Sequence, residues 1–407
     1  MKFFFADSQD QIDPTFDFRL ELPRADRVRQ RDDAYAHEVF RRPPYDGILV
    51  SKALLDGRGR YSVAQRSRFY REGVRAFLRL ERHPELRIMG DCGAFSYVDE
   101  EVPPYSVDEV LSFYLNGGFD SGVSPDHVIL GYSEDGAPPE SWKARRELTL
   151  EQARDFLSQA KRETRFKPFG VAQGWSPSSY RDSVVALQQM GYRNIAVGGM
   201  VPLKTRDILA SLTAIDEVRR PSTSLHLLGI TRFEALTAFA NLGVASFDST
   251  SPFRQAFKDD RDNYHTVGRN YTAFRVPQVD GNPRLRRLIL AGEVQQETAL
   301  GLETTCITRL RLYADRRCDS SAVIDALCEY EMLLGERKDR TRDYAEALTA
   351  RPWETCRCSV CRSSGIEVMI FRGTERNKRR GFHNLYVFNA RLMTLGGELG
   401  TLATSSA

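Results

Sequence analysis

Short apolar runs alternate with stretches of helical periodicity along most of this chain, the pattern of parallel strands joined by crossover helices. GILV at 47–50 precedes a helix-period stretch from Val63 to Leu80. RIMGD at 87–91 leads to a helix over 107–115, where Ser106 and Glu109 have capping-box spacing. HVILGY at 127–132 predicts a strand, with the next helix starting near Thr149. FGVAQG at 169–174 is followed by a helix from Ser178 to Met190, stopped by Gly191 as a C-cap. NIAVGG at 194–199, LHLLGI at 225–230 and VASFDS at 244–249 predict further strands, with helices after Thr205 and over 232–242. RLILAG at 287–292 is the candidate for an eighth strand.

Seven or eight such units predict a (β/α)8 TIM barrel rather than an open sheet. The 407 residues, 41% of them hydrophobic, suffice for that core, so one domain over 1–407 is expected, with a small C-terminal zinc-binding subdomain over 350–385. A barrel brings the C-terminal ends of its strands to one mouth. Asp91, Gln173, Gly198, Gly199, Gly229 and Asp248 stand at those ends. Asp91 and Asp248 each lie directly behind apolar strand residues, where burial and neighbouring groups shift a carboxyl pKa. As a pair they suit a nucleophile and a proton shuttle; singly, each could as well cap the loop that follows it.

Composition adds a metal site. Cys356, Cys358 and Cys361 form a C-x-C-x2-C cluster followed by His383, ligand spacing for a closed tetrahedral zinc site with no open position for substrate water. The expected cofactor is therefore structural Zn2+, with the chemistry elsewhere. Cys92, Cys306, Cys318 and Cys328 read as reduced thiols of a cytoplasmic protein. The apolar start MKFFF is followed at once by Asp7, Asp10 and Asp13, which excludes a signal-peptide core, and no run is long enough to span a membrane. A net charge of +3 is too mild to establish nucleic-acid binding. The segment 371–382 places Arg372, Arg376, Lys378, Arg379 and Arg380 just before His383, and is expected to offer phosphate contacts. His127 and His226 read as core or strand residues.

Six segments, in order, carry a family resemblance. DCGAF at 91–95, FGVAQG at 169–174, AVGGM at 196–200, HLLG at 226–229, SFDSTSPFR at 246–254, and CRCSVC at 356–361 with HNLYVFNARLM at 383–393 resemble segments of the tRNA-guanine transglycosylases. These are zinc-containing barrels that exchange guanine for a 7-deazaguanine base. The resemblance implies Asp248 as nucleophile and Asp91 as general acid/base. It implies Phe95 and Leu228 as the two faces enclosing the base, with Gln173, Gly198 and Gly199 bonding its edge.

The departures matter as much. Where the tRNA enzymes carry a base-reading aspartate after the third strand, this chain reads LGYSED at 130–135, which puts Tyr132 or Ser133 in the comparable place. The opening FFFADSQDQIDPTFDF at 3–18 is similar to the deoxypurine-in-DNA transglycosylases, which implies insertion of 7-cyano-7-deazaguanine into DNA. Candidate partners are then DNA, the free 7-deazaguanine base and an ATPase protein, with a homodimer as a candidate assembly. The alternatives are a tRNA-guanine transglycosylase and a non-catalytic zinc-containing nucleic-acid-binding subunit. Keeping both Asp91 and Asp248 argues against the last.

Overall fold

In the computed structural model, residues 1–7, 9–59, 61–133, 137–335 and 339–404 are described. They form two compact units, one of Met1–Gln9, Tyr45–Thr250 and Thr394–Ala407, the other of Asp10–Pro44 and Ser251–Met393. The first unit closes eight parallel strands into a barrel: β1 (Lys2–Ala6), β2 (Gly47–Ser51), β3 (Arg87–Asp91), β4 (Ser121–Val123), β5 (Lys167–Ala172), β6 (Asn194–Val197), β7 (Ser224–Leu227) and β8 (Val244–Asp248). Helices Val63–Phe77, Val107–Gly117, Glu140–Ala160, Pro177–Met190, Thr205–Asp216 and Leu236–Asn241 follow β2 to β7 in turn. This is the (β/α)8 barrel that the alternating pattern predicts.

Strand periodicity explains where the polar residues end up. Phe4, Leu49, Met89, Val123, Val171 and Ala196 point inward and pack as one buried cluster, with Ala6, Phe169 and Leu228 against it. Successive side chains of a strand alternate faces, so a step of two from this layer stays inside the barrel and moves towards its C-terminal mouth. That step takes Leu49 to Ser51, Met89 to Asp91, Val171 to Gln173 and Ala196 to Gly198. The apolar layer seals the floor, and the polar layer above it is what a ligand meets.

Two strand expectations are corrected. RLILAG at 287–292 is not the eighth strand: Pro283–Leu290 is a helix, with the Asn282 side chain accepting from the N–H groups of Arg284 and Leu285, and Leu290 is 83% exposed. The Asn-Pro start and the three-to-four spacing of Leu285, Leu288 and Ile289 are helical signals that outweigh the short apolar run. The barrel is closed instead by KFFFA at the N-terminus, which pairs with both β2 and β8. HVILGY at 127–132 is also not a strand. The ladder there is the three-residue β4, and Pro125, which has no N–H to give, stands just beyond it. Residues 127–129 stay buried without joining the sheet.

The second unit corrects the basic segment. Arg372 pairs with Glu21 and Glu303, each at 2.7 Å, and Arg376 with Glu21 at 2.8 Å and Glu367 at 2.7 Å. Arg379 donates to the Asp13 carbonyl at 2.6 Å, Lys378 to that of Gln11 at 3.0 Å, and the fully buried Arg380 to the carbonyls of Ala256, Val368 and Ile370. The four arginines are thus consumed inside the unit. A buried guanidinium stripped of such partners costs several kcal/mol, roughly 3–5 by analogy with broken buried ion pairs. They hold this unit together rather than meet phosphates. Among the described residues no helix is long and apolar enough to cross a membrane.

Candidate active site and metal centre

The barrel mouth holds a cavity of about 240 Å3 lined by Asp91, Phe95, Asp126, Gln173, Gly198, Gly199, Leu228, Gly229 and Asp248 among others. The seven residues expected from the resemblance to act on the sugar or the base, Asp91, Phe95, Gln173, Gly198, Gly199, Leu228 and Asp248, therefore line one space. Phe95 sits on the short 3-10 turn Ala94–Tyr97 and is 49% exposed. Gln173 is buried and held at both ends. Its Nε2 donates to Asp126 Oδ2 at 2.7 Å and its Oε1 accepts from the Ile129 N–H at 3.3 Å, while Ser183 Oγ donates to its backbone carbonyl at 2.8 Å. The two glycines are required by this arrangement. A Cβ on Gly198 would lie 2.4 Å from Gln173 Nε2, and Gly199, at φ +75°, would place one 2.4 Å from the Ile129 carbonyl.

Asp126 is the residue that sequence reading misses. Tyr132 and Ser133, assigned the comparable place, are not among the cavity's lining residues; Asp126 is, three residues past the end of β4. Glu134 and Asp135 of the same motif lie outside the described residues. Asp126 accepts from Gln173 and also from Cys92 Sγ at 3.0 Å, while the Tyr97 hydroxyl donates to that sulfur at 3.1 Å and to the Asp126 carbonyl at 3.2 Å. Its partner Gln173 and the DC pair at 91–92 were visible in the sequence. The misplaced strand at 127–132 hid the connection.

Two carboxyls in this apolar-floored cavity are held above the ordinary carboxylate range. Burial pushes Asp91 up to about 8, with the negative charges of Asp126 and Asp248 adding to it against the N–H groups of Gly93 and Cys92. Burial also raises Asp126, to about 6, opposed by its bonds from Cys92 and Gln173. Near neutral pH Asp91 therefore holds a proton and Asp126 is largely an anion. Asp248 is fixed differently: its Oδ1 accepts the Gly229 N–H at 3.0 Å and lies 3.2 Å from Nε2 of the buried His226. The site combines a proton donor with oriented acceptors.

In the second unit the four predicted metal ligands come together. The ligand atoms of Cys356, Cys358, Cys361 and His383 lie within 4.8 Å of one another, with the three sulfurs 3.3–3.5 Å from His383 Nδ1. Zn–S and Zn–N bonds of about 2.3 and 2.0 Å at tetrahedral angles bring sulfur and nitrogen to roughly this separation. His383 Nε2 donates to the His265 carbonyl at 2.7 Å, which turns the Nδ1 lone pair towards the sulfurs, and the ring stacks on Tyr264 at 4.0 Å. The cluster could hold a metal ion, and its donor set suits zinc.

A (β/α)8 barrel with an acid-lined mouth and a Cys3His cluster has the architecture that the sequence resemblance implies for base-exchanging transglycosylases. No family model matches the chain. Over 408 residues it is 49% identical to a DNA-guanine transglycosylase of Salmonella montevideo, with 96% of each chain covered. The chain belongs to the DNA-guanine transglycosylase family.

Proposed function

We propose that this protein exchanges guanine in DNA for 7-cyano-7-deazaguanine, through a covalent ester between Asp248 and C1′ of the target deoxyribose. The observation that carries the reading is the grouping of Asp248, protonated Asp91 and the Asp126–Gln173 pair around one cavity of about 240 Å3. That volume is below the roughly 300–1,000 Å3 of pockets for drug-sized ligands and suits a single flat base.

Guanine offers N–H donors on its Watson–Crick edge and an acceptor at O6. Asp126, acceptor-only when ionised, matches the donors, and the backbone N–H of Gly199 is a candidate for O6, that of Gly198 being taken by the Ala172 carbonyl at 3.0 Å. Phe95 and Leu228 supply apolar faces for the ring. Asp248 attacks C1′ as the base departs, and Asp91 gives that base its proton; the incoming base then reverses both steps, so configuration is retained. The free energy of the glycosidic bond is stored in the ester, and the exchange itself needs no ATP. A target in duplex DNA must first leave the stack, at a cost of a few kcal/mol, which is where an ATPase partner would act. The zinc-binding stretch 350–385 is proposed to serve as a subdomain of one transglycosylase module.

The test offers labelled guanine and labelled 7-cyano-7-deazaguanine to protein with DNA and tRNA side by side. Label is expected in DNA alone; incorporation into tRNA with none into DNA would overturn the assignment.

Zinc, when bound, supplies a structural cross-link and no chemistry at the cavity. Cys356, Cys358 and Cys361 would hold it with His383. Purified protein is expected to carry about one zinc per chain by elemental analysis, since four ligands saturate one tetrahedral ion. Cys358→Ser should lose most of the metal and lower thermal stability by several kcal/mol, a part of the ~10–16 kcal/mol typical of structural zinc. Full zinc content in that variant would remove Cys358 from the ligand set.

A further inference from the structure

His226 lies on β7 directly across from Ser246 on β8, and both side chains point into the barrel. The ring is fully buried between Phe4 and Phe169, which meet it edge-on at centroid distances of 5.7 and 6.2 Å. Each ring nitrogen has one partner: Nδ1 is 2.8 Å from Ser246 Oγ and Nε2 is 3.2 Å from Asp248 Oδ1. A carboxylate can only accept, so Nε2 is the nitrogen that donates. The Ser246 hydroxyl can donate to Nδ1 and thereby fix that tautomer.

We infer that His226, locked by Ser246, is a positioning residue that assigns different tasks to the two oxygens of Asp248. This rests on the reading of Asp248 as nucleophile. Oδ1 receives two N–H groups, from His226 and Gly229. Oδ2 is then the atom that attacks. In the first half-reaction an Oδ2 electron pair forms the bond to C1′, the C1′–N9 bond breaks, and its pair leaves with guanine, which takes the Asp91 proton. In the second, the N9 pair of the incoming base forms the new bond as its proton passes to Asp91. The C1′–Oδ2 bond breaks and its pair returns to the carboxylate.

The two donors act unequally on these halves. In the ester Oδ1 is a neutral carbonyl oxygen. As the ester breaks, negative charge grows on Oδ1, where preorganised N–H groups stabilise it most. In the first half the same donors stabilise the starting anion and give no such gain. Loss of His226 should therefore slow discharge of the adduct more than its formation.

The experiment forms the protein–DNA adduct without incoming base, then adds 7-cyano-7-deazaguanine and follows adduct decay. His226→Phe, which keeps ring volume and removes the donor, is expected to slow decay on the order of 10–100-fold, the scale for one lost oxyanion donor or somewhat less. The adduct should then accumulate during turnover. His226→Gln keeps an N–H near the Nε2 position and is expected to recover most of the rate, with Ser246→Ala between the two. Misfolding alone would lower adduct formation and would not make the adduct persist. Should His226→Phe fold poorly, the Gln and Ala variants still decide the matter, because wild-type decay with Ser246→Ala or no decay with His226→Gln overturns the proposal. A wild-type adduct that His226→Phe discharges at the normal rate overturns it alone; no adduct in wild type overturns the covalent reading as well.

Discussion

Asp248→Asn is expected to lower base exchange by about 10^3-fold or more while DNA binding persists, the scale seen when a nucleophile is removed from a working site. Asparagine keeps the shape, and its amide oxygen can still accept from the Gly229 N–H, so the cavity should stay intact. What is lost, on the proposed mechanism, is the anionic oxygen that attacks C1′. Position adds to the effect. Asp248 ends β8 and is held by His226 on β7 and by Gly229 two residues beyond that strand, so its approach is set largely by the sheet. The measurement is a denaturation-resistant protein–DNA adduct, trapped by withholding the incoming base, present with wild type and absent from Asp248→Asn. An adduct that survives Asp248→Asn and vanishes in Asp91→Asn would exchange the two assignments. Near-wild-type turnover in both would sink double displacement.

Legibility in the sequence followed the range of each signal. The candidate metal ligands were readable because three of the four fall within six residues, and spacing alone carries the geometry. The strands at 47–50, 87–91, 169–174, 194–199, 225–230 and 244–249 were readable because strands buried on both faces are continuous apolar runs. KFFFA has the same character, yet an apolar run at a chain start is first weighed as a targeting segment, and its role appears only when the barrel closes on it. β4 failed differently: Ser-Gly-Val is too short and too small to stand out beside the longer run that follows. That one misplacement moved the expected polar position by several residues and concealed Asp126.

Partners distant in sequence account for the other differences. Nothing near residue 372 announces Glu21 or Glu303, so four arginines that are buried look like a cationic loop. His226 was rightly a buried strand residue, and its meaning came from a neighbour on the next strand. In both cases a residue type was legible and its environment was not. Only the closed barrel turns strand-end positions scattered from 91 to 248 into a single arrangement of acids.

Asp91→Asn is expected to make the protein more stable as pH rises, even as it slows exchange. The sign follows from linkage. Burial beside Asp126 and Asp248 pushes the folded-state pKa of Asp91 up to about 8, above the ordinary carboxyl value of 3.8. Between those values the native state holds a proton that the unfolded chain has released, so wild-type stability falls as pH rises across the window and levels off above about 8. At roughly 1.4 kcal/mol per pKa unit the full shift corresponds to about 6 kcal/mol. Water in the cavity and the two coupled acids reduce this, and a gain of about 2–4 kcal/mol is expected at pH 8.5. Asparagine has no charge to bury, so its advantage should be near zero around pH 4 and grow towards pH 8. Thermal melts of both proteins at pH 4.5, 6.5 and 8.5 measure it; a constant difference across the three would place the ionisation elsewhere. On the proposed mechanism the same proton serves the chemistry, since the departing guanine needs it. Adduct formation by wild type in single turnover should therefore decline above about pH 8, and in Asp91→Asn it should be slower at every pH without that decline, by about 10^2–10^4-fold if proton donation is the whole contribution. A wild-type profile flat through pH 9 would remove Asp91 as the acid, whatever the melts show.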